Sequence, residues 1–406
     1  MPATEQPVFP SVSALLAEIA DVGVDRSRGG WSRHVFDSAE QQLREWFLER
    51  AIALGLDTET DRNGNLWAWW GAPGPDAVVT GSHLDSVPGG GAFDGPLGVA
   101  SALAAVAALQ REGFSPRRPF AIAVFAEEEG SRFGIACLGS RLLTGAIDPA
   151  RAAALTDAEG RSFGEVASGA AIDVNHLGRD ADALGRIGVF VELHVEQGRG
   201  LIDLDQPVAL ASSIIAHGRW RLRFTGQGNH AGTTLMTDRH DPMIASAMAI
   251  LASREIAQAR DDLRATVGRI QPIPGGTNVI ASEVNVWLDV RGAGSDSQDA
   301  VDEISQVADA AARREGCVLE VIQESYSPQV TFDPALRDRL ARSLSNVPVL
   351  GTGAGHDAGI LAAAVPTAML FVRNPSGISH SPEEWANDED CQHGVDALVT
   401  VLKELL

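Results

Sequence analysis

Residues 119–125, with the sequence PFAIAVF, limit most strongly how this chain can fold. A nearly continuous apolar run of this length fits a strand that is covered on both faces, as strands of parallel sheets are. The preceding segment, 95–111, is rich in Ala, Leu and Val and indicates a buried helix. Further β-like runs occur at 66–70 and 77–80, after two amphipathic helical patterns. We therefore predict an α/β core with functional residues just past the carboxyl ends of its strands.

The middle of the chain follows a different pattern. Residues 214–225 alternate as a strand, and the predicted order β-α-β-β-α-β then continues to residue 323. That order is typical of a split βαβ sandwich, which is a self-contained unit. A chain of 406 residues is also long enough for two domains. We predict a mixed-sheet catalytic domain at 1–211 and 327–406, with an inserted α+β domain at 212–326.

Charge and composition exclude several classes of partner. With 54 acidic and 32 basic residues, the net charge of −22 leaves no basic stripe for nucleic acid and disfavours an anionic membrane surface. No apolar stretch approaches the roughly 18 residues of a membrane span. Cys137, Cys317 and Cys391 form no CxxC pair, so neither a disulfide framework nor a thiolate zinc site is indicated. The first residues lack a secretory pattern, and we expect a cytoplasmic protein.

His83 is the first candidate metal ligand, because it directly follows an apolar strand. Asp85 is placed to accept the second imidazole N–H, an arrangement that orients many metal-bound histidines. A polar pair that merely caps the strand end explains the same residues. Asp94 lies in GGGAFDGPLG, where glycines permit close approach to cations. It is equally suited to cap the helix that follows.

Three consecutive glutamates, Glu127, Glu128 and Glu129, follow the buried strand directly. Unpaired carboxylates at that position are electrostatically costly, and cations at the strand end would remove the cost. A solvated charge run is the alternative. His194 lies in ELHVEQG and His380 in GISHSPEE. An exposed strand face and an ordinary surface loop, respectively, would also account for these two histidines.

Several motifs occur in order over nearly the whole chain. They are HLD, GGxFDG, EEEGSRFG, ELHVEQG, NHAGTT, GGTNVI, DVRG, GHDA and GISHSPEE. Together they resemble the hydantoinase/carbamoylase branch of the aminoacylase and zinc-exopeptidase family. That branch includes N-carbamoyl-L-amino-acid hydrolases, allantoate amidohydrolases and β-ureidopropionases.

The resemblance implies a centre with two divalent ions, Zn²⁺, Mn²⁺, Co²⁺ or Ni²⁺, which also suit imidazole and carboxylate ligands. Asp94 would bridge the ions, with His83 and His194 on one of them and Glu129 and His380 on the other. Glu128 would act as the general base. The family's peptidases and aminoacylases generally carry a carboxylate where this chain has His194. This difference favours a carbamoyl or ureido substrate.

The resemblance also implies substrate-binding positions, namely Gln197, His230, Asn278, Arg291 and His356. His230 would stabilise the developing oxyanion from the inserted domain, which would serve as a lid. In the family this histidine comes from a partner subunit, which implies a homodimer joined through the inserted domains. Arg291 would grip a substrate carboxylate, and a salt bridge to one of the many acidic residues is the alternative.

Arg373 departs from many relatives, which carry small or apolar residues there. It is either a second anion contact or a structural residue. The sequence as a whole predicts a metal-dependent amidohydrolase that cleaves a linear C–N bond of an N-carbamoyl-L-amino acid or allantoate, releasing ammonia and CO₂. An N-acyl-amino-acid deacylase or dipeptidase on the same frame is an alternative. A catalytically silent binding protein is a more remote one.

Overall fold

The computed structural model describes residues 9–406, which form two compact units. Unit 1 comprises the chain up to Ser213 together with Thr331–Leu406, and unit 2 comprises Ile214–Val330. The bounds of unit 2 differ by only a few residues from those of the insertion predicted at 212–326. The described residues contain no helix that is long and apolar enough to cross a membrane.

The strands, in chain order, are β1 (Asp57–Thr60), β2 (Leu66–Trp70), β3 (Ala77–His83), β4 (Phe120–Phe125), β5 (Ile187–Val195), β6 (Val208–Ile214), β7 (Ala216–Thr225), β8 (Asn229–His230), β9 (Arg264–Ile273), β10 (Val279–Ile280), β11 (Glu283–Gly292), β12 (Val318–Ser327), β13 (Val330–Thr331), β14 (Val349–Thr352) and β15 (Thr367–Val372).

The α-helices are α1 (Val12–Glu18), α2 (Ser38–Ala53), α3 (Pro96–Arg111), α4 (Leu138–Thr144), α5 (Pro149–Ala153), α6 (Phe163–Gly169), α7 (Ala181–Arg186), α8 (Gly200–Asp203), α9 (Pro242–Gln258), α10 (Asp296–Arg314), α11 (Pro334–Ser343), α12 (Asp357–Leu361) and α13 (Asp388–Leu405).

Unit 1 is built on a mixed nine-stranded sheet with the order β1-β2-β4-β3-β5-β15-β6-β13, in which β14 also pairs with β6. Strand β3 runs parallel to β4 and β5, and β15 runs parallel to β5. The four parallel strands are buried along their length apart from partly buried Gly188 in β5, because helices cover both faces. Their carboxyl ends consequently lie at one edge of the sheet.

Helices α3 and α13 contact each other, and they pack on β3, β5 and β15. Alternate strand residues such as Val78, Ile122 and Val191 join these helices in one apolar core. Helix α3 begins at Pro96, whose fixed φ suits the first helical turn. Nearly all of its residues are buried, as the Ala- and Leu-rich sequence predicts.

Unit 2 is an antiparallel four-stranded sheet, β12-β7-β11-β9, which packs with α9 and α10 around its own apolar core. A separate two-stranded ladder joins β8 and β10. Disregarding that ladder, the order is the predicted β-α-β-β-α-β. The first and last strands pair directly, with Ser327 opposite His217.

Some sequence expectations were wrong in detail. Residues 214–225 do not form one strand, because Ile214 ends β6 in the sheet of unit 1 and Ala216 begins β7 in unit 2. The region after residue 333 contains β14 and α12 in addition to the expected helix, strand and helix. The strand face of His194, for which solvent exposure was the alternative explanation, is buried, and α12 contacts β5.

Candidate metal centre

The five predicted ligands lie at the carboxyl ends of parallel strands or in the loops after them. His83 is the last residue of β3, and His194 precedes the last residue of β5. Glu129 follows β4, and His380 lies in the loop after β15. Asp94 lies just before α3, in the connection from β3. The fold thus collects residues from five segments at one sheet edge.

The carboxylate of Asp94 divides the five residues into two groups. Its Oδ1 lies 3.4 Å from Nε2 of His83 and 3.2 Å from Nε2 of His194. Its Oδ2 lies 3.4 Å from Nε2 of His380, which is 3.3 Å from Oε2 of Glu129. In each group, ligand atoms of the three residues lie within 4.8 Å of one another. A carboxylate with one oxygen in each group has the geometry of a bridging ligand.

The unpaired atoms of this cluster fit divalent cations. Within the described part of the chain, Nε2 of His83, Nε2 of His194 and Oε1 of Glu129 are buried and make no hydrogen bond. Oδ1 of Asp94 lies close to both imidazoles. Buried polar atoms normally have partners. Mixed imidazole and carboxylate donors without thiolate suit Zn²⁺, Mn²⁺, Co²⁺ or Ni²⁺.

The electrostatics show a surplus of buried negative charge. Burial raises the pKa of Glu128 well above its usual value, and the opposing effect of His83 does not compensate. Burial and the charge of Asp94 likewise raise the pKa of Glu129. Burial acts in the same direction on Asp94, but His194 and His83 outweigh it and hold its pKa well below the usual value. Cations would relieve this surplus.

Asp85 has a different role from the one expected. Its Oδ1 lies 3.6 Å from Nδ1 of His83. The backbone carbonyl oxygen of Asp85 is nearer to the same nitrogen, at 3.0 Å. Its carboxylate instead accepts the backbone N–H groups of Glu128 and Glu129, both at 3.1 Å. Asp85 therefore holds the glutamate segment in place, while its backbone orients His83.

Glu127 shapes the same segment from inside. Its φ of 54° is uncommon for a residue with a side chain and reverses the chain after β4. Its buried carboxyl accepts the N–H groups of Arg132 and Phe133, at 3.0 and 2.7 Å. Burial raises its pKa to about 8. The turn directs Glu128 and Glu129 towards the cluster.

His356 and Gln197 both lie beside the ligand cluster. The ring of His356 is 4.5 Å from that of His194, and with Glu192 these residues form a third group of possible ligands. Burial and the neighbouring His194 lower the pKa of His356 well below the usual value, so its imidazole is neutral. Gln197 donates to Oδ2 of Asp94 at 2.6 Å.

The remaining predicted substrate residues, His230, Asn278 and Arg291, belong to unit 2. His230 and Asn278 lie at the ladder of β8 and β10, where Ala231 N–H donates to the Asn278 carbonyl. Arg291 donates to Asp289 within the same strand, at 2.9 Å. This is the salt bridge that the sequence left open as an alternative.

Arg373 has a structural role. It binds the buried carboxylate of Asp390 through two N–H groups, at 3.0 and 2.9 Å, and also contacts Asp205 at 3.1 Å. These pairs connect the end of β15 with α13 and with the chain before β6. The structure thus supports the structural alternative for this arginine.

Two residues near the centre were not singled out in the sequence. Cys137 is buried, and its Sγ donates to Oε1 of Glu128 at 3.4 Å. Glu384 is buried against the loop of Asp94, and burial raises its pKa to about 7. Nothing in the sequence distinguishes Glu384 from its exposed neighbour Glu383, because only the fold determines which of the two points inward.

Known proteins resemble this chain over nearly its whole length. It is 35% identical to an N-carbamoyl-L-amino acid amidohydrolase of Geobacillus stearothermophilus, covering 96% of this chain and 97% of the relative. It is 31% identical to an allantoate amidohydrolase of Escherichia coli, covering 97% of each. Its structure is similar to that of a hydantoinase/carbamoylase family amidase from Burkholderia multivorans, with a TM-score of 0.84, 28% identity and coverage of 98% and 99%.

One family model matches most of the chain. The model of Peptidase family M20/M25/M40 matches residues 79–404, a stretch that includes all five residues of the cluster. The chain therefore belongs to Peptidase family M20/M25/M40.

Proposed function

We propose that this chain is a metal-dependent amidohydrolase that cleaves a linear C–N bond of an N-carbamoyl-L-amino acid or of allantoate, releasing ammonia and CO₂. The observation that carries the proposal is the position of the Asp94 carboxylate, whose Oδ1 lies beside the buried and unpaired Nε2 atoms of His83 and His194 and whose Oδ2 lies beside His380. The names of the relatives from Geobacillus stearothermophilus and Escherichia coli support the choice of substrate class.

The proposed ligands are His83 and His194 for one ion, Glu129 and His380 for the other, and Asp94 for both. When bound, two such ions polarise a scissile carbonyl and lower the pKa of water. The chain holds His83 and His194 on buried strand ends, which limits the reorganisation needed for binding the first ion.

Glu128 is the proposed general base. Its buried carboxyl lies 3.6 Å from Nε2 of His83, at the edge of the cluster. It takes a proton from the attacking water and delivers it to the leaving nitrogen. The thiol of Cys137 donates to Oε1 of Glu128 and fixes the rotamer of the carboxylate.

The proposed substrate contacts use neutral and cationic groups. The neutral imidazole of His356 and the carboxamide of Gln197 suit an uncharged ureido group, which needs hydrogen-bond donors and acceptors. Arg291 is proposed to bind the substrate carboxylate, and Asp289 holds its guanidinium in one orientation. Asn278 and His230 are proposed to contact the substrate from unit 2, with His230 stabilising the oxyanion.

We also propose a homodimer joined through unit 2. Large apolar side chains are exposed on this unit, among them Ile244 and Leu251 on α9 and Ile270 and Ile273 on the edge strand β9. An unpaired strand edge beside exposed apolar residues is a surface that pairing with a second copy would cover.

The substrate proposal is tested by ammonia release from a panel of N-carbamoyl-L-amino acids and allantoate, with and without added Mn²⁺. N-acetyl amino acids and dipeptides form the comparison arm, for the deacylase or dipeptidase alternative. Turnover of the comparison arm alone would establish that alternative. No turnover of any compound by protein that contains two ions per chain would instead favour a silent binding protein.

The dimer and the origin of His230 are tested together by mixing two inactive variants, His230→Ala and Glu128→Gln. If His230 acts on the partner's site, a mixed dimer contains one site with both residues intact, and activity returns on mixing. If His230 acts within its own chain, mixed dimers stay inactive.

A further inference from the structure

Glu384 is a buried carboxyl that connects two loops bearing proposed ion ligands. It is 4% exposed, although it lies in a loop with exposed neighbours. Its Oε1 accepts the backbone N–H groups of Phe93 and Asp94, at 3.0 and 2.9 Å. Its Oε2 accepts the hydroxyl of Ser379 at 3.0 Å. The side chain is thus bound to Asp94 itself and to the residue before His380.

The packing around Glu384 fixes its position. A Cβ on Gly91 would lie 2.3 Å from Oε1 and 2.4 Å from Cβ of Glu384, so only glycine leaves room for the carboxyl. Ser379 extends the connection, because its Oγ also lies 3.3 Å from Oδ2 of Asp94. The contacts therefore join the backbone of one loop, the carboxylate of Asp94 and the loop of His380.

The two ion groups differ in how the fold supports them. The side chains of His83 and His194 are 0% exposed on central strands, which hold them independently of Glu384. The side chain of His380 is 50% exposed in a loop after β15. The group of Asp94, Glu129 and His380 consequently depends more on contacts between loops.

We propose that Glu384 is a positioning residue for the ion held by Asp94, Glu129 and His380. It keeps the two loops at the separation that this ion needs, and the other ion is affected less. The inference rests on the two-ion centre proposed above. Partners outside the ligand set typically change metal affinity by about 10- to 100-fold.

The test is titration of the metal-free full chain with Co²⁺ by calorimetry, together with the melting temperature of the metal-free protein. Glu384→Ala should raise the dissociation constant of one ion by about 10- to 100-fold and leave the other near its wild-type value. Glu384→Gln should bind nearly as the wild type does, because its amide oxygen still accepts both N–H groups. Glu383→Ala is the matched control and should change neither ion, since Glu383 is exposed.

Ser379→Ala removes one of the three hydrogen bonds to Glu384, together with the contacts of the Ser379 hydroxyl with Asp94 and Gln197, and should weaken binding of the same ion. If Glu384→Ala binds each of the two ions with the same affinity as the wild type does, the proposed role of Glu384 is overturned. An equal loss at both ions with a lowered melting temperature would also overturn it, since that pattern indicates a general structural role. A wild-type chain that binds fewer than two ions would contradict the proposed function instead.

Discussion

Replacing Gly95 by alanine tests whether the position of His83 limits metal binding. Gly95 follows Asp94 with φ 84° and ψ −60°, a conformation that residues with a side chain rarely adopt. A Cβ at this position would lie 2.5 Å from Cε1, 2.6 Å from Nδ1 and 2.7 Å from Nε2 of His83. The substitution therefore places a methyl group against the face of a proposed ligand.

Two effects of different size follow from this geometry. The backbone strain costs about 1–3 kcal/mol of folding free energy. The contact distance is well below the roughly 3.5–4.0 Å of carbon atoms in contact, so the imidazole must retreat by about 1 Å. Metal and catalytic sites tolerate displacements of only about 0.5 Å. We therefore expect weaker binding of one ion and a loss of turnover of about 100-fold.

Gly113→Ala is the matched control. Gly113 has φ 71°, and nothing lies within 4 Å of the added Cβ, so this variant contains backbone strain without the collision. Urea unfolding, Co²⁺ titration and ammonia release from an N-carbamoyl amino acid are measured on both variants. Both should lose stability, but only Gly95→Ala should lose metal affinity and activity. Wild-type affinity and turnover in Gly95→Ala would refute the reasoning.

Other changes separate catalysis, metal binding and structure. Glu128→Gln should reduce kcat by about 10²- to 10⁴-fold with unchanged metal content, as measured by elemental analysis, because the base is lost but the ligands stay; a small reduction would indicate that another residue is the general base. Removal of metal with EDTA should abolish turnover and lower the melting temperature, and added Mn²⁺ should restore both, since the ions bind only the folded chain. Arg373→Ala should cost roughly 2–3 kcal/mol in urea unfolding with unchanged KM, because the buried carboxylate of Asp390 loses its cationic partner and keeps Asn387 as a side-chain donor; a raised KM at unchanged stability would make Arg373 a substrate contact. Cys137→Ser should keep kcat near the wild-type value and Cys137→Ala should lower it, because serine still donates to Glu128; equal rates in both variants would exclude a role for this hydrogen bond.

The sequence predicts β2, β3 and β4 of unit 1 because they are short, largely apolar runs. The run at 119–125 becomes β4, and the polar residues after it reach the sheet edge as expected. Short helices were harder to assign, although local signals existed. In α6, Ser162 and Glu165 form a capping box, which a search for that spacing would have found.

Other features depend on contacts between distant segments and leave no local pattern. Asp85 is two residues from His83, which suggested a side-chain contact, but its carboxylate accepts N–H groups from the segment after β4. Glu384 accepts a hydrogen bond from the backbone N–H of Asp94, which is 290 residues away in the sequence. Similarly, residues 214–225 are predicted as one strand, because the sequence alone does not show that Ile214 and Ala216 belong to different sheets.

The place where the chain leaves and re-enters unit 1 has a consequence for folding and for protein engineering. Strand β6, before the insertion, and β13, after it, are neighbours in one sheet, and within unit 2 Ser327 pairs with His217. Excising residues 215–329, which leaves β6 and β13 intact, and joining the cut ends by a short linker would therefore span only a small gap and close a loop of low entropic cost. We expect the excised segment, which has its own apolar core, to fold as a separate polypeptide.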